Sequence, residues 1–436
     1  MPYHSVKQLG RGGFGVVDQV IDGAGNSFAR KTLVVPATID AAQMHARFER
    51  EIKYQSSINH ENVVRIFDYN LSDNPPWFIM PLAVCNLQDE LNVDRSLGGN
   101  PQSILFDILA GLEEIHRRGY LHRDLKPANI LKFLDNNGQP RYALSDFGLM
   151  AVGETGTTTL TPSGVNGGTP MYQAPECAIN FKRATTRSDI YSFGAILHDI
   201  FSANAKRLPH DELTVPGDLG AIVEKCTKRN GHRRYKNVEE LREDLFAALN
   251  AYEFVFGSGE EEIVTGFLMK EQFPNNEEWD RIFAFLDDCE GNLRGFDNVF
   301  RALRREHIAH MNTEQSDLLA PLGKQFADYC RELSFNFDYC DVLASKAQIF
   351  FEFGDIQLKA NIAVAMLVLG VDHNRWFVEH KFVEMAGHEI PNELAARIAV
   401  EIDVLKIDFG SKVQHLERSI NTSREKLHPL LRQKLS

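Results

Sequence analysis

The spacing of apolar side chains changes along this 436-residue chain, and that change most constrains what it can fold into. Over the first thirty residues apolar and polar side chains alternate, broken by Gly10, Gly12, Gly13, Gly15 and the run Asp22-Gly23-Ala24-Gly25-Asn26. A period of two puts one face of a strand against a core, and glycine-rich clusters supply turns, so a small antiparallel sheet is predicted. From Ala41 to Ile58 the period lengthens, with Phe48, Ile52 and Tyr54 at helical spacing, which predicts a helix beside that sheet. Val63 to Tyr69 and Trp77 to Leu82 read as two further strands. Past Pro101, Ile104, Leu105, Ile108, Leu109, Leu112 and Ile115 form an apolar stripe over three turns, the mark of a buried helix. The Asn136-Asn137-Gly138 turn joins 129–133 to 141–145 as a hairpin, and helices dominate from Thr186 to about Ala251.

The small and acidic residues from Phe256 to Glu262 read as a linker. Beyond them the pattern is helical: Leu394, Ile398, Ile402 and Leu405 fall on one face, as do Val413, Leu416 and Ile420. Of 29 phenylalanines, 17 follow Ala251, too many for a disordered tail. The expected organisation is an α+β domain over 1–251, with a sheet lobe to about 80 and a helical lobe from about 84. A linker over 252–262 and an all-α accessory domain over 263–436 follow.

A formal charge of −13 argues against nucleic acid as a partner, since that binding rests on clustered Lys and Arg. Six cysteines without paired spacing indicate neither a disulfide framework nor a zinc site. The start, Met1-Pro2-Tyr3-His4-Ser5, lacks the basic head and apolar stretch of a secretory signal. The apolar run Ala360 to Val371 is shorter than the roughly 18 residues of a membrane span. A cytoplasmic protein with no membrane partner is expected. His307 and His310, three apart, read as surface histidines, because no neighbouring ligand completes a metal site.

Chemistry concentrates in the first 250 residues. Gly10-Arg11-Gly12-Gly13-Phe14-Gly15-Val16-Val17 fits G-x-G-x-x-G-x-V, in which glycines let backbone N–H groups approach phosphate oxygens. Dinucleotide sites use similar glycines but need a helix directly after them, whereas here the chain continues as strand. Phe28-Ala29-Arg30-Lys31 puts an ammonium sixteen residues on, within reach of phosphates under the glycine turn. His122-Arg123-Asp124-Leu125-Lys126-Pro127-Ala128-Asn129 fits H-R-D-L-x-x-x-N at every defined position, and Asp146-Phe147-Gly148 follows the hairpin.

These motifs, in this order, resemble the protein kinase family of the eukaryotic-like (Hanks) serine/threonine type, with the likeness ending near Leu249. The resemblance implies the bilobal kinase fold, with ATP and Mg²⁺, or Mn²⁺ in its place, as cofactors and protein hydroxyls as acceptors. It casts Asp124 as the base that accepts the hydroxyl proton, and Lys126 as a contact to the transferring phosphate. It casts Lys31 as the phosphate-binding lysine, paired with Glu51 rather than with Glu49 two residues away, and Asn129 and Asp146 as metal ligands. The ATP site would draw on Gly10, Gly12, Gly13, Phe14, Gly15, Val17, Ala29, Lys31, Met80, Pro81 and Ala83, where Pro81 keeps the carbonyl and loses only the N–H.

Gly167-Gly168-Thr169-Pro170-Met171-Tyr172-Gln173-Ala174-Pro175-Glu176 resembles the end of an activation segment, with Thr169 expected near Asp124 and Lys126. Thr158, Thr159 and Thr161 are candidate autophosphorylation sites, a phosphate there being able to pair with Arg123. Glu176, Arg234 and Asp189 are expected as scaffold residues. The alternative is a pseudokinase, or a kinase fold regulating a functional helical module, and the helical region is also a candidate for self-association.

Overall fold

The computed structural model describes residues 3–12, 15–35, 40–135, 138–146, 150–151, 170–180, 183–203, 206–250, 252–289 and 293–435. The chain divides into two compact units, Met1–Leu249 and Asn250–Ser436.

The first unit opens on a sheet with strand order β1-β2-β3-β5-β4, antiparallel throughout. Its strands are β1 (His4–Gly12), β2 (Gly15–Ile21), β3 (Ser27–Leu33), β4 (Asp68–Asn70) and β5 (Trp77–Pro81). Helix α1 (Ala41–Ser57) starts where the Asp40 carboxylate accepts the Ala42 N–H, and packs Met44, Phe48 and Ile52, spaced by four, under the sheet. Ala29, Leu33, Phe78 and Met80 of the sheet meet that helix in one core.

Two expected strands are shorter than their sequence suggests. Only the end of the 63–69 stretch joins the ladder, within β4 (Asp68–Asn70). Upstream, the Val64 N–H donates to the Leu144 carbonyl (2.9 Å) and its own carbonyl accepts from Gln55 Nε2 (2.7 Å), so its backbone groups go to distant partners. The β5 ladder ends at Pro81, which has no N–H to extend it.

After β6 (Cys85–Asn86) and α2 (Leu87–Val93), the lower lobe is built on α3 (Gln102–Arg117) and α5 (Thr186–Phe201), most of whose residues are buried. Between them lie β7 (Tyr120–Leu121), the hairpin β8 (Ile130–Leu134) with β9 (Pro140–Leu144), β10 (Met150–Ala151) and α4 (Pro175–Ile179). Gly138, at φ +77°, takes the left-handed conformation of the hairpin turn at no steric cost. Helices α6 (Leu219–Thr227) and α7 (Val238–Asn250) complete the unit.

The second unit is helical: α8 (Gly259–Met269), α9 (Asn276–Asp288), α10 (Asp297–Ala302), α11 (Arg305–Glu314), α12 (Ser316–Glu332), α13 (Phe337–Phe353), α14 (Ile356–Asp372), α15 (Trp376–Met385), α16 (Asn392–Val404), α17 (Phe409–Ser419) and α18 (Pro429–Arg432). Its axis is α14, which contains the run from Ala360 to Val371. That helix is apolar nearly all round because α12, α13, α15, α16 and α17 pack on it.

Two expectations for this region are corrected. Helix α8 begins inside the stretch read as a linker. Ser258 Oγ accepts the Glu261 N–H (3.1 Å), and Glu260, Glu261 and Glu262 sit in the first turn, where carboxylates are favoured by the helix dipole. Just upstream, the Val255 carbonyl accepts from Asn298 Nδ2 (3.0 Å) and Tyr252 donates to Asp297 (3.0 Å), tying 252–257 to the helices that follow. His307 is not on the surface but fully buried, its Nδ1 accepting the Arg304 N–H (3.0 Å) at the start of α11, and burial holds its pKa low, at about 3. Among the described residues no helix is long and apolar enough to cross a membrane, and all six cysteines are free.

Candidate active site

Strand register assembles the upper wall. Val17 on β2 pairs with Lys31 on β3, and Ala29 on β3 pairs with Met80 on β5. Val17, Ala29, Met80 and Ala83 therefore converge on one apolar cluster, and Leu131 of β8 joins it from the lower lobe. Leu131 is a wall residue the sequence reading missed. Its signal was the β8 alternation, which turns Leu131 toward this cluster while Lys132 pairs with Glu90 of α2 (2.6 Å). Gly15 lies over Lys31: a Cβ there would stand 3.2 Å from the Thr32 carbonyl and 3.4 Å from Lys31 Cε. At Gly10 a Cβ would meet nothing within 4 Å. Gly13 and Phe14 lie outside the described residues.

Lys31 Nζ sits 2.7 Å from Glu51 Oε1 and 2.7 Å from Asp146 Oδ1. Glu49, the rival on α1, instead pairs with Lys53 one turn along the same helix (2.6 Å). Burial alone would pull the Lys31 ammonium down, but the carboxylates of Asp146 and Glu51 outweigh it and hold it above its ordinary value. Burial pushes Glu51 up, offset in part by Lys31. Asp146 is resisted by desolvation, yet the charge of Lys31, helped by Lys126 and His122, holds it below the ordinary carboxylate range. Its side chain is 44% exposed, so one side of this triad opens to solvent.

Opposite, Asp124 is held by its own loop. Lys126 Nζ lies 2.8 Å from Asp124 Oδ2, and Asn129 Nδ2 donates to the Asp124 carbonyl (2.8 Å) and to Oδ2 (3.1 Å). No described residue bonds Oδ1. The Ser145 N–H and hydroxyl both donate to the Asn129 carbonyl (2.9 and 3.0 Å), which locks Asp146 beside the loop that carries Asp124. Lys31, Asp124, Asn129 and Asp146 are thus joined through one continuous chain of contacts.

Helix α5 carries the anchors beneath. Asp189, almost fully buried, accepts the backbone N–H groups of His122 (2.9 Å) and Arg123 (2.8 Å) and meets His116 Nε2 at 2.8 Å. Its burial would raise its pKa, but the bond and charge of His116, with the loop amides, keep it low. Arg123 (φ +65°) and Asp146 (φ +55°) both adopt the left-handed region, a strain of about 1–3 kcal/mol each that this surrounding network holds in place. Ser188 Oγ donates to Glu176 (2.7 Å), and Arg234, buried, meets the same carboxylate through two bonds of 2.7 and 2.8 Å. Burial would raise Glu176, yet that fork keeps it below its ordinary value. Thr158, Thr159, Thr161 and Thr169, with Phe147 and Gly148, lie outside the described residues.

Against known proteins, residues 3–245, more than half the chain, match the family described as protein kinase domain. The chain belongs to the protein kinase family. It is 34% identical over 276 residues to serine/threonine-protein kinase pkn2 of Myxococcus xanthus, covering 57% of this chain and 32% of that protein. It is 31% identical over 262 residues to serine/threonine-protein kinase Pkn1 of the same organism (57% and 37%). A probable serine/threonine-protein kinase PknB of Lactococcus lactis matches at 28% over 270 residues (56% and 41%). The chain thus spans about a third to two fifths of the length of these relatives.

Proposed function

We propose that the chain is an ATP-dependent protein kinase that phosphorylates serine and threonine hydroxyls, with a helical unit accessory to it. What supports this most is the Lys31 ammonium shared between Glu51 and Asp146 at 2.7 Å each, facing an Asp124 whose Oδ1 has no described partner. A pseudokinase would be expected to have lost one of these groups; here all are present and joined.

In this reading Val17, Ala29, Met80, Pro81, Ala83 and Leu131 enclose the adenine, and the Gly10 to Gly15 turn covers the phosphates. The room above Gly10 is what a phosphate needs, since no protein packing there requires a glycine. Lys31 binds phosphate oxygens, and Glu51 keeps its ammonium in place. The acceptor hydroxyl gives its proton to Asp124 Oδ1 as its oxygen bonds to the γ-phosphorus and the bond from that phosphorus to ADP breaks. Lys126, already beside Asp124, offsets the charge on the transferring group.

The Asp146 carboxylate and the Asn129 amide oxygen are the donors for Mg²⁺, with Mn²⁺ the alternative. Both are oxygens, which hard divalent ions take, and Asp146 opens to the cleft. Such an ion, when bound, neutralises charge on the β- and γ-phosphate oxygens. The roles of Glu176, Asp189 and Arg234 are to hold this machinery, and Thr158, Thr159, Thr161 and Thr169 are offered as the segment that autophosphorylation would mark.

The test is transfer of label from γ-labelled ATP with Mg²⁺ by the purified full chain, followed by phosphoamino-acid analysis. Phosphoserine and phosphothreonine, lost in Asp124→Ala, are expected. Label confined to tyrosine, or unchanged in Asp124→Ala, would sink the reading.

A further inference from the structure

The strip just before Glu176 is gripped in an unusual way. Three successive carbonyls, those of Met171, Tyr172 and Gln173, each accept a hydrogen bond from a different side chain. Ser192 Oγ of α5 donates to Tyr172 O at 2.8 Å. Arg207 Nε donates to Met171 O at 3.3 Å, and His210 Nδ1 lies 2.8 Å from Gln173 O. Both Arg207 and His210 come from the loop after α5, and His210 takes φ +64° to do so. A non-glycine residue in that region costs backbone energy, so the loop holds His210 there by its contacts.

Arg207 is the centre of the grip. Its side chain is only 4% exposed. Its two terminal nitrogens meet the two oxygens of Asp199 on α5, one at 3.2 Å and the other closer. The guanidinium lies 4.9 Å from the Tyr172 ring centroid, and the Tyr172 hydroxyl donates to the same Asp199 carboxylate (2.7 Å). One guanidinium thus fixes a backbone carbonyl, an aromatic ring and the acid that holds the ring's hydroxyl. The planar fork suits this, because lysine offers a point charge and cannot bridge all three.

The grip matters because of what α5 also holds. Ser192 lies one turn after Ser188, which bonds Glu176, and beside that serine is Asp189, which fixes the His122 and Arg123 amides. The strip and the loop carrying Asp124 are therefore referred to the same helix. From this we infer that Arg207 is a positioning residue for the protein acceptor, setting the Met171–Gln173 strip at a fixed place relative to Asp124. It does not touch the nucleotide cluster, whose members are Val17, Ala29, Met80, Ala83 and Leu131. Its loss is expected at the acceptor and not at ATP. The inference rests on the kinase reading above, and the experiment separates the two.

Steady-state kinetics of the full chain are measured with dephosphorylated casein as acceptor and ATP varied independently, for wild type, Arg207→Ala, Arg207→Lys and Tyr172→Phe. Arg207→Ala is expected to raise the KM for casein roughly tenfold, the scale of a lost charge-assisted hydrogen bond. The KM for ATP and the acceptor-free hydrolysis of ATP stay at wild-type values. Arg207→Lys recovers part of the loss, and Tyr172→Phe, which removes the hydroxyl and its Asp199 bond but keeps the ring, shows a smaller rise in the same parameter. An unchanged casein KM in Arg207→Ala, or an equal rise in the ATP KM, overturns the positioning role. Should Arg207→Ala fold poorly, as read by its thermal midpoint, the decision passes to Arg207→Lys and Tyr172→Phe on the same criterion. Loss of all transfer in wild type would defeat the kinase reading instead.

Discussion

In the helical unit the Asp341 carboxylate is fully buried and meets Arg375 through two bonds of 2.6 and 2.7 Å, on a guanidinium 8% exposed. Nearby Glu379, equally buried, is met by His415 Nε2 (2.9 Å) and by the Ser419 hydroxyl, both on α17. In the kinase unit Lys31 also makes short ion pairs, but its partner Asp146 is 44% exposed and Asp124 is 27% exposed. The same rule, that a charge taken from water must be paired, is thus met in two ways. Carboxylates buried completely, as Asp341 and Glu379 are, tie helices together. A pair with one open side leaves an oxygen or an ammonium for something that arrives from outside; Lys412 with Asp372 shows that the helical unit has such pairs too, so what sets the first unit apart is that Lys31 is shared by two carboxylates, one closed and one open.

The largest expected effect tests the open pairs. Asp124→Ala should lower phosphoryl transfer by about 10²–10⁴-fold, the usual range for losing a positioned base, with the unfolding midpoint little moved. Lys31→Ala should act comparably through lost charge stabilisation. Rates with labelled ATP, set beside thermal midpoints, decide this; a loss of activity matched by a collapse in stability would erase the contrast.

Next come the closed pairs. Asp341→Ala or Arg375→Ala should cost about 3–5 kcal/mol in denaturant unfolding, because each leaves a buried charge without its partner. Asp146→Asn should abolish transfer yet shift the midpoint less than either. If Asp146→Asn proved the more destabilising, open and closed pairs would not differ as described.

A smaller effect separates glycines that packing requires from one it does not. A Cβ at Gly194 of α5 would stand 2.5 Å from Cys226 Cβ, so Gly194→Ala should cost about 1–3 kcal/mol through overpacking. Gly10→Ala meets nothing within 4 Å and should change stability by no more than about 0.5 kcal/mol, while raising the KM for ATP. Equal losses of stability in both would remove the reason for assigning Gly10 to phosphate.

The smallest effect is in pH, and its sign differs between two buried carboxylates, Asp189 of the first unit and Glu379 of the second. Asp189 is held below its ordinary value of 3.8, so its stabilisation is present above the unfolded pKa and is lost as pH falls through the lower folded one. Glu379 is held above its ordinary 4.5 by burial, so the opposite applies. Its contribution is full below the unfolded pKa and declines as pH rises through the folded one. Asp189→Asn should flatten the acid side of the stability profile, and Glu379→Gln the rise in instability above about pH 4.5. Fluorescence of Trp77 reports the first unit, and Trp279 and Trp376 the second. A substitution that left the profile at its own unit's reporter unchanged would contradict the assignment.

How much was legible in the sequence follows from where each constraint acts. Lys31, Asp124, Asn129 and Asp146 could be found because phosphate chemistry dictates both their types and the elements that carry them. The choice of Glu51 over Glu49 rested on resemblance, and the geometry that separates them, a pair with Lys53 against a pair with Lys31, needs the third dimension. The strand expected over 63–69 is cut back to its end because alternation cannot reveal that Val64 gives its backbone groups to Leu144 and Gln55. His307 looked exposed because no ligand pattern surrounds it, and a single buried histidine capping a helix leaves no periodic trace. His116 and Arg207 were invisible for a related reason: each reaches an acid on α5, Asp189 and Asp199, that is 73 and 8 residues away, at spacings no local rule encodes.

The four anchors of α5, at Ser188, Asp189, Ser192 and Asp199, have a mechanical consequence. A helix of sixteen residues is stiff over its length, so loops tied to it at successive turns drift together when the lobe breathes. Misalignment between the loop carrying Asp124 and the Met171–Gln173 strip is then a small difference between two correlated displacements. Tolerance is set by one rod, and the two loops it carries need no direct bond to keep their separation.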